Sequence, residues 1–199
     1  MTIESHPLEP FLPANGRILF LGSFPPPKAR WSMDFFYPNW INDFWRIQGL
    51  IHFDDKAYFE IKGEKRFDRE RIIDFANEQG LAFYDTATKV KRLKDNASDN
   101  FLEILEPTNI GELLAKMPHC NRIVTTGGKA SEELRMQLSS ALEIAEDAHI
   151  SEKDLTPAIG SCTKVRAYGR EIEWWRMPSS SRAYPLALTK KAEFYKRLF

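Results

Sequence analysis

Polar and charged residues able to act on a ligand gather in three short runs: GSFPPP from Gly22 to Pro27, DTATKVKR from Asp85 to Arg92, and MPSSSRAY from Met177 to Tyr184. The first offers a serine on stiff backbone. The second opens with a carboxylate and continues into the cations Lys89, Lys91 and Arg92, with Lys94 just beyond, and the third joins three serines to Arg182. Taken singly, a proline cluster is a stiff turn, a serine run is a capping loop and a lysine-rich stretch is a solvated loop. Metal and redox chemistry find no support. Cys120 and Cys162 lie outside any Cys-x-x-Cys spacing, His52, His119 and His149 are scattered, and His6 lies in the N-terminal tail. Two cysteines cannot hold an iron–sulfur cluster. No Gly-x-x-x-x-Gly-Lys-Ser or Gly-x-Gly-x-x-Gly stretch occurs, so the expectation is no cofactor and no metal.

The elements flanking these runs decide whether they meet. RILFLG (Arg17 to Gly22) is an apolar run closed by glycine and prolines, which reads as a buried central strand. LAFYD (Leu81 to Asp85) and NRIVTTGG predict two more. TKVRAY and EIEWWRM flank Gly169-Arg170, which suits a type II′ hairpin. Phe44, Trp45, Ile47, Leu50 and Ile51 follow helical spacing behind Asn42, which stands where an N-cap belongs. Asp68 caps a helix that Gly80 stops, Thr108 or Asn109 caps another, KASEELRMQLSSALEIAEDA continues as a helix, and TKKAEFYKRLF closes the chain as one. Thr86 to Pro107 reads mostly as loop, with a short helical turn at FLEIL.

Strands alternating with helices predict an α/β fold: a single three-layer domain over residues 1–199, with 1–15 as a tail. Its central sheet is expected to be mostly parallel and covered by helices on both faces, with the late hairpin adding an antiparallel edge. In such a sheet the C-terminal strand ends share one edge, so the three runs converge there. With 28 basic and 28 acidic residues, the net charge of zero gives no global pull toward nucleic acid. Any such contact must come from a local patch. No run approaches a membrane span, and the start MTIESHPLEP is acidic and broken by proline, unlike a signal peptide. A cytoplasmic monomer without a membrane partner is expected.

In chain order, GSFPP from Gly22, YPNWINDFW from Tyr37, YDT from Tyr84, TGGKA from Thr126 and MPSSSRA from Met177 resemble the uracil-DNA glycosylase superfamily. The resemblance runs from about Arg17 to Phe199 and is closest to the hypoxanthine-DNA glycosylase branch, next to the mismatch-specific glycosylases. It implies DNA containing a deaminated base as the partner, and a flipped nucleotide entering a pocket between these loops, since a stacked base cannot be attacked at its sugar. Tyr37 would stack on that base, with a core tyrosine as the plain alternative. Relatives often carry an aspartate or asparagine at the position of Phe24 to activate water. The hypoxanthine branch uses the asparagine of Asn-x-Phe-Trp, here Asn42, which can position water and stabilise an oxocarbenium-like sugar; helix capping is its alternative role.

By the same resemblance Asp85 would accept the lactam N–H of hypoxanthine or uracil, with Gly22, Ser23 and Phe24 supplying backbone to the base; a strand-end turn aspartate is the plain alternative. Pro25, Pro26, Ser179, Ser180 and Ser181 would meet DNA, the serines through phosphate oxygens. Arg182 would hold a phosphate or wedge into the gap left by the base. Lys89 and Lys91 lie where phosphate contact is open to them. Trp40 replaces a proline of the related motif, and Met177 replaces a histidine that stabilises the departing base. The expected function is a monofunctional glycosylase of base excision repair. Phe24, Trp40, Met177 and zero net charge motivate the alternative of a non-catalytic nucleic-acid-binding protein of the same fold, and a hydrolase of free nucleosides is a third reading.

Overall fold

The computed structural model describes residues 2–93, 101–143 and 155–199. Along the chain run β1 (Thr2–Ser5), β2 (Ile18–Gly22), α1 (Phe44–Phe53), α2 (Arg69–Gln79), β3 (Leu81–Asp85), β4 (Ala87–Arg92) and β5 (Leu102–Pro107). After these come α3 (Ile110–Ala115), β6 (Arg122–Thr126), α4 (Gly128–Ala141), β7 (Ser161–Ala167), β8 (Arg170–Met177) and α5 (Leu188–Tyr195). Strands and helices form a mixed α/β fold.

Its larger sheet has the order β3-β2-β6-β8-β7. β3, β2, β6 and β8 pair in parallel, and β7 runs antiparallel to β8, so the sheet is mixed. β2, and β3 up to its terminal Asp85, are apolar because both are shut away from solvent: Leu19, Phe20, Leu21, Ala82 and Phe83 are 0% exposed. Phe83 is ringed by Phe20, Phe35, Phe36, Phe44 and Trp45, with centroids at 5.5–5.9 Å. α2 packs on β3, α4 on β6, and α1 against α5.

Local signals hold where side chains cap chain ends. Asp68 accepts from the Arg71 N–H and Asn109 from the Glu112 N–H, and Gly80 ends α2 at φ 63°. α4 is described to Ala141; the rest of the expected helix lies outside the described residues. The β7–β8 hairpin forms one residue earlier than expected. Its link is Tyr168-Gly169, with φ 54° and 74°, so both residues are left-handed and the turn is of the I′ kind, correcting the II′ expectation.

The larger correction concerns Thr86 to Pro107 and the tail. β4 and β5 pair antiparallel, and β1 joins β4 on its other side, giving a second sheet of order β1-β4-β5. Its small core consists of Ala87, Val90 and Leu102 with Phe24 from the first loop. A register shift around Lys89 interrupts the inward–outward alternation, which is why the stretch does not read as a strand. The charges that suggested a loop are paired in the folded chain: Lys89 with Glu106, and Lys91 with Glu103 at 3.3 Å. Among the described residues, no helix is long and apolar enough to cross a membrane.

Candidate active site

The C-terminal ends of β2, β3 and β8, with the loop before α1, enclose a cavity of about 710 Å³. That lies within the usual range for small-molecule sites, roughly 300–1,000 Å³. Gly22, Ser23, Phe24, Pro25 and Pro26 form one wall; Tyr37 and Asn42 come from the loop before α1; Asp85 ends β3; Ser179, Ser180, Ser181 and Arg182 follow β8. All three sequence runs therefore meet. Lys89 and Lys91 do not line the cavity: they sit on β4 in ion pairs, and the expected cationic loop is a strand of the second sheet. Lys94 and His149 lie outside the described residues.

Asp85 is placed by parallel pairing of β3 with β2, which sets it level with Gly22. A Cβ on Gly22 would come within 2.4 Å of the Asp85 Oδ1, so only glycine leaves room for this carboxylate. The Asp85 side chain is 13% exposed, and its Oδ2 lies 2.9 Å from the His6 Nε2. Its main-chain carbonyl accepts from the Thr108 hydroxyl at 2.7 Å. His6, set aside as a tail residue, is the clearest omission of the sequence reading. No local pattern joins positions 79 apart; only the strand β1 brings them together.

Tyr37 takes a left-handed φ of 52°, uncommon outside glycine, and its ring lies flat on Phe44 at 3.8 Å with an interplanar angle of 4°. Its hydroxyl shares a hydrogen bond with the Thr126 hydroxyl at 2.8 Å, which brings the TGGKA turn into the site as well. Burial pushes the phenol well above its usual range, with the Asp85 charge adding to that, while the Thr126 hydrogen bond opposes it. Tyr37 therefore acts as a neutral aromatic surface. The ring packs on the core through Phe44 and also lines the cavity.

Asn42 stands one residue before the helix cap. Asp43 occupies the N-cap position of α1 without a side-chain capping bond, and the Asn42 Oδ1 accepts from the Phe44 N–H at 2.8 Å. The asparagine is thus both structural and cavity-lining. Asp43 serves another end: its Oδ1 accepts from the Arg182 Nε at 2.9 Å and its Oδ2 from the Lys191 ammonium at 3.2 Å. Lys191, 1% exposed, also donates to the Ser181 carbonyl at 2.7 Å, and the Asp43 N–H donates to the Ser180 carbonyl at 2.9 Å. This network ties the serine loop to the start of α1. Arg182 keeps a half-exposed side chain at the cavity.

The first loop is held from behind. Arg92, on β4, forms a two-pronged ion pair with Glu4 of β1, at 2.7 and 3.1 Å, and donates to the Pro25 carbonyl at 3.2 Å. Phe24 is 8% exposed and belongs to the small core, so it is an apolar wall. Trp40 packs on Phe67 and under the Arg46 guanidinium, and Met177 is buried in the main core at 1% exposure. Ser179 and Ser181 hydroxyls accept from the N–H groups two residues ahead, at 3.2 Å each, stiffening their loop. Among the described residues, no cluster of three His, Cys, Asp or Glu side chains has the arrangement of a metal site.

No family model matches the sequence, and no curated protein matches it. The fold has a solved counterpart: the solution NMR structure of a "putative Uracil DNA glycosylase" from Methanosarcina acetivorans superimposes with a TM-score of 0.63. The alignment covers 99% of each chain at 19% identity. The two proteins share a fold end to end.

Proposed function

We propose that this chain is a monofunctional DNA glycosylase that hydrolyses the N-glycosidic bond of a deaminated base, hypoxanthine or uracil, with affinity closest to the hypoxanthine branch of its superfamily. The observation that carries the reading is the meeting of Asp85, Tyr37, Asn42 and the serine loop in one cavity at the strand ends. The shared fold with the Methanosarcina acetivorans protein supports it at the level of architecture. Fold alone does not decide chemistry, so the site must.

In this reading a flipped base enters the cavity and stacks on Tyr37, whose other side rests on Phe44. Asp85 accepts the lactam N–H, and the backbone of Ser23 and Phe24 meets the neighbouring carbonyl. The serine loop and Arg182 take the flanking phosphates. Asn42 is oriented by the Phe44 N–H, which occupies one lone pair of Oδ1. The second lone pair can accept from a water. That water adds to the sugar C1′ as the bond to the base nitrogen breaks and gives up a proton to solvent; the base leaves with the bonding electrons, and a solvent proton neutralises it. The amide oxygen also faces the positive charge that develops on the sugar.

Incubation of the purified protein with oligonucleotides bearing one hypoxanthine, uracil, xanthine or thymine mismatch, followed by alkali, tests this. Strand scission at hypoxanthine or uracil is expected. Binding without scission on every substrate would support a non-catalytic module instead.

A further inference from the structure

We propose that His6 is a positioning residue for base selection: by holding Oδ2 of Asp85 it fixes the carboxylate with Oδ1 beside Gly22 turned to accept from a flipped base. This rests on the glycosylase reading of the cavity and names what fixes its preference for deaminated rings.

The geometry is specific to the nitrogen atoms of the ring. His6 Nε2 lies 2.9 Å from Asp85 Oδ2, and the imidazole is 2% exposed. An ionised carboxylate only accepts, so Nε2 carries the hydrogen. On the far side Nδ1 lies 2.8 Å from the Leu8 carbonyl and 3.2 Å from the Leu8 N–H, so it has a main-chain partner whether it bears a hydrogen, donating to the carbonyl, or not, accepting from the N–H. The His6 N–H donates to the Thr88 carbonyl at 2.8 Å, which extends the hold of β1 on β4 to this residue. The ring also packs among Tyr84, Phe24 and Phe36, at centroid distances of 4.5, 5.4 and 6.2 Å. A phenylalanine could fill that apolar niche; it could not hold a carboxylate.

The consequence for selection follows from donors and acceptors. Hypoxanthine and uracil show a ring N–H where adenine and cytosine show a lone pair. A carboxylate oxygen fixed at that place attracts the first pair and repels the second. Without the imidazole N–H, Asp85 is free to turn and the acceptor leaves that place. His6 thereby keeps Asp85 in one rotamer, from a position remote in sequence.

His6→Phe keeps the packing and removes the N–H; His6→Gln supplies an amide N–H in a different shape. Single-turnover excision from hypoxanthine and uracil oligonucleotides should fall by about 10-fold or more in the first and stay within about threefold of wild type in the second, the scale of one hydrogen bond to a charged group. Equal rates for wild type and His6→Phe, or equal losses for both variants, would overturn the proposal. A reading that needs no variant is the imidazole nitrogen NMR signal of His6 in the wild type: Nε2 should bear the hydrogen, and a bare Nε2 would overturn the proposal even if His6→Phe did not fold. Wild-type protein that excises nothing would instead remove the glycosylase reading, which the nitrogen signal leaves untouched.

Discussion

At the scale of single residues, side chains that hold the structure together also line the cavity. Asn42 shows why the two uses need different tests. Its Oδ1 caps the Phe44 N–H, so Asn42→Ala should cost about 1 kcal/mol of stability, as loss of a helix-capping side chain does. If the same amide orients water and faces the developing sugar charge, excision should also fall by roughly 10²-fold or more. Thermal melting and single-turnover rates separate these losses. A folded variant with an unchanged rate would leave Asn42 as a cap alone. Gly22 illustrates the opposite case, a residue that works by lacking a side chain, since a Cβ there would meet Asp85.

At the scale of elements, the second sheet is the part that the sequence concealed. β4 carries Lys89, Lys91 and Arg92 in six residues, and charge density of that kind ordinarily marks solvated loop. Pairing with Glu106, Glu103 and Glu4 turns it into a strand, and cross-strand partners lie too far along the chain for local periodicity to reveal. In the larger sheet β2 and β3 were legible because burial on both faces makes them almost continuously apolar, and β7 and β8 because two runs flank a glycine turn. The ends of those strands were therefore legible too, and with them the convergence of Gly22, Asp85 and Ser179. His6 was not, because it meets Asp85 only through the pairing of β1 with β4; Thr126, at the end of β6, shares the edge but carries no charge to mark it. Arg92 links the concealed sheet to the site. With the arginine 4% exposed and Glu4 29% exposed, Arg92→Met should cost roughly 2–3 kcal/mol, just under the range for breaking a fully buried pair. It should also loosen the Pro25 loop, so that excision falls by more than stability predicts. Chemical denaturation and rates measured well below the melting point check this; a variant as stable as wild type would show that the ion pair does not brace the loop.

At the scale of the whole molecule, zero net charge means that any attraction to DNA, as the proposed function requires, must rest on local cations. The salt dependence of affinity should accordingly be shallow, each phosphate contact adding about 0.9 to the slope of log K against log salt. Arg182→Ala should weaken binding and flatten that slope by about one contact; an unchanged slope would mean that its guanidinium serves only Asp43. The central claim, that the cavity reads and releases a deaminated base, is tested most directly by chromatographic detection of free base after a single turnover. Wild-type protein should liberate hypoxanthine or uracil, Asp85→Asn should retain release or shift it between the two, and Asp85→Ala should release neither. A site built on a buried hydrogen bond suffers far more from an unpaired partner than from a reshaped one. Release by Asp85→Ala at the wild-type rate on both bases, or bound DNA with no free base from the wild type, would contradict it.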